Sequence, residues 1–107
     1  MKTIYIIGAY TASSKLETLR NIKKAEDAAL RLWREGWCVI CAHLNTACFN
    51  WYAPDIPNER WLKGGLELLR RSDAVYLLQG WEHSKGSKAE CNLAFKLNKD
   101  IFYEEIH

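Results

Sequence analysis

The segment Gly80-Trp81-Glu82-His83-Ser84-Lys85-Gly86-Ser87-Lys88-Ala89-Glu90 carries the densest set of groups able to do chemistry. Glycines, two serine hydroxyls and free backbone N–H groups come just before a helical pattern marked by Ala89, Leu93, Ala94 and Leu97. Amides and hydroxyls that converge on a helix N-terminus form an anion site, because the helix dipole and the unpaired N–H groups favour phosphate or carboxylate. Glu90 is expected in the first turn of that helix, where the same field keeps it ionised. A fixed carboxylate in such a place can act as a nucleophile on an electrophilic carbon. A serine cap followed by an acidic first-turn residue is also an ordinary helix start, so these residues alone leave both readings open.

A second polar cluster, His43-Leu44-Asn45-Thr46, directly follows an apolar run. His43 could hydrogen-bond a nucleobase or an acyl oxygen, or serve only structure, and Asn45 stands beside it. Trp51, Tyr52 and Trp81 could stack on a base or simply pack in long loops. The serines have no convincing base, and His83 and His107 fall in a loop and at the terminus, so no nucleophilic triad is evident. After the first apolar run the chain reads Gly8-Ala9-Tyr10-Thr11-Ala12, which lacks GxGxxG, and no GxxxxGK[ST] occurs anywhere. Classical NAD(P) and P-loop chemistry are disfavoured, and no cofactor is expected. Cys38-Val-Ile-Cys41 has CxxC spacing, but on a strand residues three apart face opposite ways. With Cys48 and Cys91 these read as reduced, mostly buried thiols, with no metal site.

The elements that must position these groups alternate. Apolar runs at residues 3–7, 37–42, 74–78 and 101–103 read as strands. Helical periodicity appears over about residues 16–35, then from Trp61 to about Arg71, then from Ala89. Residues 44–60 form a long connection holding Pro54 and Pro57. Strands alternating with helices make right-handed βαβ units and a parallel sheet. The expected fold is therefore α/β, a three-layer Rossmann- or flavodoxin-like parallel sheet of four or five strands, in order 2-1-3-4. Ligands bind beyond the carboxyl ends of such strands, which selects Gly8–Ser14, His43–Asn50 and Gly80–Glu90. Gly8 and Tyr10 become binding candidates on that ground.

The chain has 107 residues, 49% hydrophobic and 26% charged, with net charge +2. That suits one globular domain, residues 1–107, and excludes disordered and fibrous classes. A charge so near neutral disfavours a nucleic-acid polymer as partner. No apolar run is long enough to cross a membrane, and no secretory signal is evident, so the expected compartment is the cytoplasm. Five tryptophans suggest surplus apolar surface and a homo-oligomer.

The strand Ile4-Tyr5-Ile6-Ile7-Gly8, His43 after the second strand, Ser72-Asp73-Ala74-Val75 opening the third, and Ser84-x-Gly86-x-x-x-Glu90 together resemble the nucleoside 2-deoxyribosyltransferase superfamily. Gly-Trp-Glu-x-Ser-x-Gly-x-x-x-Glu and His-Leu-Asn-Thr are similar to its small uncharacterised phage and bacterial branch. The resemblance spans nearly the whole chain. It implies N-glycosidic chemistry on a nucleotide or nucleoside, in which a glutamate attacks C1′ and the base leaves. Glu90 matches that nucleophile and Tyr5 the tyrosine that orients it. Ser84 and Gly86 match the 5′-phosphate site of the 2′-deoxynucleoside 5′-monophosphate hydrolases, Ser87 is expected to complete that phosphate cradle, and His43 with the aromatic loop would meet the base. The resemblance also implies sites completed across a dimer. One departure is clear: the family carries an aspartate eight residues before the Asp73 position, and here that residue is Gly65. Glu67 and Asp55 are the acids that could compensate. The alternative expectation is a non-catalytic nucleotide-binding or sensor module.

Overall fold

A computed structural model describes residues 1–105, and His107 lies outside them. Strand β1 (Thr3–Ile7) is buried from Ile4 onward and forms the middle of the sheet with β3 (Ala74–Leu77). Strands β2 (Cys38–Ile40) and β4 (Asp100–Tyr103) flank them, giving the parallel order β2-β1-β3-β4. This is the α/β architecture and the strand order that the pattern predicts, with four strands among the described residues. Asp73 sets the start of the central pair: its carboxylate accepts from the Thr3 amide at 2.8 Å and from the Thr3 hydroxyl at 3.2 Å.

Because side chains alternate along a strand, β1 feeds both faces. Ile4 and Ile6 pack under helix α1 (Lys15–Arg34) against Ala25, Ala28, Ala29 and Leu32. Alanines on that face let helix and sheet approach closely. Ser14 caps α1 by accepting from the Glu17 amide. Tyr5 and Ile7 face the other way, into a cluster with Leu69 and Ala94. Those two residues come from helices α4 (Asn58–Arg70) and α5 (Lys85–Lys96), which complete the third layer. A tyrosine at the second buried position of β1 therefore has to point between α4 and α5.

Three boundaries differ from the sequence expectation. The connection 44–60 is not free of helix: one-turn helices α2 (Ala42–Asn45) and α3 (Phe49–Tyr52) lie in and just before it. Helix α4 begins at Asn58 rather than Trp61, and α5 at Lys85 rather than Ala89. Both helices open with a polar turn, Asn58-Glu59-Arg60 and Lys85-Gly86-Ser87-Lys88, which carries no apolar periodicity to read.

Gly8 ends β1 where it turns toward the site. A Cβ there would sit 2.6 Å from Leu78 Cδ1 and 3.0 Å from Leu78 Cβ, so any side chain would force Leu78 to shift. Gly8→Ala is expected to cost about 1–3 kcal/mol through overpacking, read as a lower urea midpoint with unchanged m-value.

Candidate active site

The three loops at the carboxyl ends of β1, β2 and β3 surround a cleft of about 510 Å³ at the point where the strand order reverses. Its central feature is a hydrogen bond in which the Tyr5 hydroxyl donates to Glu90 Oε2. Tyr5 is 2% exposed. Burial, then the neighbouring Glu90 charge and the hydrogen bond to it, push the phenol far above its ordinary value, so the proton stays on the tyrosine. Glu90 is held the other way. Desolvation pushes its carboxyl up to about 7, against the smaller lowering effect of the Tyr5 hydrogen bond. The expectation of a first-turn, field-ionised Glu90 is thus corrected. With α5 starting at Lys85, Glu90 lies in the second turn, beyond the reach of a field that fades within the first.

Gly65 of α4 closes this pair from the opposite side. A Cβ on Gly65 would stand 2.9 Å from the Tyr5 hydroxyl and 3.4 Å from Glu90 Oε2. The position at which the sequence resemblance leads one to expect an acid therefore does face the Tyr5–Glu90 pair, and as a glycine it brings no side chain there. Neither expected substitute reaches it. Glu67 Oε1 pairs with Arg71 Nε at 2.9 Å on the exposed side of α4, and Asp55 is exposed outside the cleft.

The start of α5 forms the second part of the cleft. Ser84 caps the helix, its Oγ accepting from the Ser87 amide at 3.2 Å. Ser87 is 1% exposed, and its own Oγ has no hydrogen-bond partner. A buried hydroxyl without a partner costs about 1–3 kcal/mol unless a ligand or water supplies one. A Cβ at Gly86 would meet only Leu62 Cδ1, at 3.8 Å, so protein packing does not demand the glycine there.

His43 Nε2 lies 3.1 Å from both the Gly8 and Ala9 carbonyl oxygens. Two acceptors fix the proton on Nε2, which leaves Nδ1 as an unpartnered buried acceptor. Burial holds the imidazole below its ordinary pKa, more strongly than the two carbonyls raise it. His43 therefore cannot donate to a base from Nε2, as one form of the sequence reading would need. Tyr10 packs beside it at a ring distance of 5.8 Å, and its hydroxyl oxygen accepts from the Cys48 amide at 2.7 Å.

Tyr5, Gly8, Tyr10, His43, Ser84, Gly86, Ser87 and Glu90 all line the cleft. Asn45 and Trp81 do not. Asn45 is exposed beside a shallow groove with Trp33 and Val39, because one turn of α2 sends it away from His43. Trp81 packs on the core cluster of Leu77 and Ala94. Trp51 carries the Lys15 ammonium over its ring at 5.0 Å, and Tyr52 is 80% exposed, so neither enters the cleft. Sequence reasoning missed Trp61, Lys85 and the cleft-lining place of His83. Trp61 could have been found: on a helix begun at Asn58 it sits one turn before Gly65, on the same face. Its indole N–H also lacks a partner. Among the described residues no group of three or more His, Cys, Asp or Glu side chains is placed to hold a metal ion. No helix there is long and apolar enough to cross a membrane.

The family described as a domain of unknown function, DUF4406, matches residues 2–103, and the chain belongs to that family. No curated protein matches the sequence. Among solved structures, the fold is similar to that of a 2-deoxyribosyltransferase from the psychrotolerant bacterium Bacillus psychrosaccharolyticus. The TM-score is 0.62 with 19% identity, over 98% of this chain and 77% of that one. The chain thus has the 2-deoxyribosyltransferase-like Rossmann-type fold.

Glu90 carries a pH signature. Its folded value near 7 exceeds the ordinary 4.5, so between those values the folded chain binds more protons than the unfolded one. Stability from this group is therefore lost as pH rises through that window, by about 3 kcal/mol at full ionisation. Urea unfolding at pH 5 and pH 8 should show Glu90→Gln with a flatter pH dependence than wild type. An unchanged pH dependence would contradict the desolvated carboxyl.

Proposed function

We propose that this protein cleaves the N-glycosidic bond of a nucleoside or deoxynucleoside 5′-monophosphate, by hydrolysis or transfer, with Glu90 as nucleophile. The observation that carries this reading is the Tyr5–Glu90 pair set one turn beyond a helix start whose buried Ser87 hydroxyl is unpartnered. At 1.5 Å rise per residue, Ser87 and Glu90 are separated by about 4.5 Å along α5. An anion held at Ser84, Gly86 and Ser87, with Lys85 beside it, leaves room for one sugar ring between phosphate and carboxylate. Ionised Glu90 attacks C1′ and the electron pair of the C1′–N bond leaves with the base. Water or a second base then attacks C1′ from the vacated face and the carboxylate is released, the retaining course of glycoside hydrolysis. Tyr5 donates to Oε2 and fixes the carboxylate. His43 holds the β1 loop through the Gly8 and Ala9 carbonyls and offers Nδ1 as an acceptor to the base. The solved relative's name, a 2-deoxyribosyltransferase used for nucleoside synthesis, supports chemistry at this kind of bond.

Gly65 favours a second reading, a nucleotide-binding or sensor module without turnover. That reading predicts thermal stabilisation by monophosphates with no base released on long incubation.

Self-association belongs to the same proposal. Leu16, Leu19 and Trp33 of α1 and Phe95 of α5 are 47–75% exposed, surface that a homo-oligomer would cover. Light scattering after size exclusion should give more than one chain's mass, and a monomer at all concentrations would remove this part.

The test is a panel of 5′-monophosphates and matched nucleosides analysed for free base. Glu90→Ala is expected to lower release by on the order of 10³-fold or more. Gly86→Ala, which the packing tolerates, should keep or raise the melting temperature while raising KM for monophosphates. Ser87→Ala should raise the same KM by about 10–100-fold, the loss of one charged hydrogen bond, and leave nucleosides unaffected. Base release that survives in Glu90→Ala undiminished would overturn the mechanism.

A further inference from the structure

Glu90 is the only carboxyl group that lines the cleft among the described residues. Glycosidic cleavage ordinarily uses two, one to attack the sugar and one to protonate the departing group. The other polar groups of the cleft do not replace the second. Tyr5 spends its proton on Glu90 and, deeply buried, holds it tightly. His43 is kept neutral by burial and its N–H is bound by two carbonyls. Lys85 and His83 stand at the helix start next to Ser84, the end assigned to the anion. On α4, one turn before Gly65, Trp61 lines the cleft, and its unpartnered indole N–H can donate a hydrogen bond but not a proton.

We propose, resting on the glycosidic reading above, that the substrates are nucleotides whose base is already cationic, quaternised at a ring nitrogen. Such a base needs no acid. When the C1′–N bond breaks, its electron pair cancels the charge on the ring and the base departs neutral. Glu90 forms the C1′–O bond in the same step. Water then attacks C1′, the carboxylate takes back its electron pair, and the water's proton passes to solvent. The cleft suits a cation in two further ways. Tyr10 and Trp61 line it, and aromatic rings attract a cation placed over their faces. Ionised Glu90 attracts the same charge, whereas the phosphate lies at the opposite, basic end beside Lys85.

The experiment compares 2′-deoxyguanosine 5′-monophosphate with its N7-methyl counterpart, with release of guanine and N7-methylguanine corrected for spontaneous loss. Without a protein acid, kcat/KM is expected to be on the order of 10²–10⁴-fold higher for the methylated nucleotide, the usual worth of general-acid catalysis. Both rates should disappear in Glu90→Ala. Glu90-dependent release with a ratio below tenfold would overturn the inference while leaving the glycosidic reading intact, since an acid would then be at work. No Glu90-dependent release from either nucleotide would overturn the glycosidic reading and this inference with it.

Discussion

The hydrogen bond from Tyr5 to Glu90 is the interaction around which the cleft is organised. It joins the central strand to the last helix, and both partners are there for packing reasons before they are there for chemistry. Alternation along β1 puts Ile4 and Ile6 on the α1 side and Tyr5 with Ile7 on the other. A tyrosine so deep must place its hydroxyl against a polar partner. Helices α4 and α5 face it, and α4 presents Gly65. The single carboxylate of α5 that reaches inward completes the pair. Removing either partner strands the other: Tyr5 would keep a buried hydroxyl, and Glu90 a buried carboxylate without its donor.

Much of this was legible from the residues. The apolar runs predict the strands, the alternation with helices predicts the parallel order β2-β1-β3-β4, and the strand-end rule selects the loops that bound the cleft. Gly65, singled out by counting back from Asp73, lies against Tyr5 and Glu90. What was not legible follows from how helices begin. Apolar periodicity is silent over a polar first turn, so it marks α5 only from Ala89, four residues after the actual start at Lys85, and sets Glu90 one turn too near the helix end. The same silence hid α4's first turn, and with it the position of Trp61 above Gly65. Asn45 and Trp81 illustrate a different limit. Neighbours in sequence diverge on a helical turn, and whether an aromatic ring faces a cleft or the core depends on tertiary packing that spacing does not encode.

The shifted helix start changes the electrostatics of the site. At the first turn, the dipole of α5 would stabilise an anion by at most about 1–2 kcal/mol. One turn further in, that contribution is small, and the cost of taking a carboxylate out of water is larger. Desolvation wins, and Glu90 rests near 7 rather than in the usual carboxylate range. The helix field is thereby left to the groups that precede Glu90: Ser84, Gly86 and Ser87. On the proposed reading, one helix serves two purposes at two depths, an anion cradle at its end and a nucleophilic carboxylate one turn inside.

Two charges in one small cleft must then be kept from interfering. A phosphate at the α5 start and an ionised Glu90 would repel each other across a single sugar, and the Lys85 ammonium at the helix start would offset the phosphate only in part. That repulsion favours the protonated, unreactive form of Glu90 when an ordinary nucleotide binds. A cationic base reverses the balance: its charge lies beside the carboxylate, favours ionisation, and is discharged only as the bond breaks. Glu90 as the one carboxyl lining the cleft among the described residues, its raised pKa and the proposed anion cradle are thus mutually consistent for a ligand that carries its own positive charge to the reacting centre. For a neutral base they act against one another.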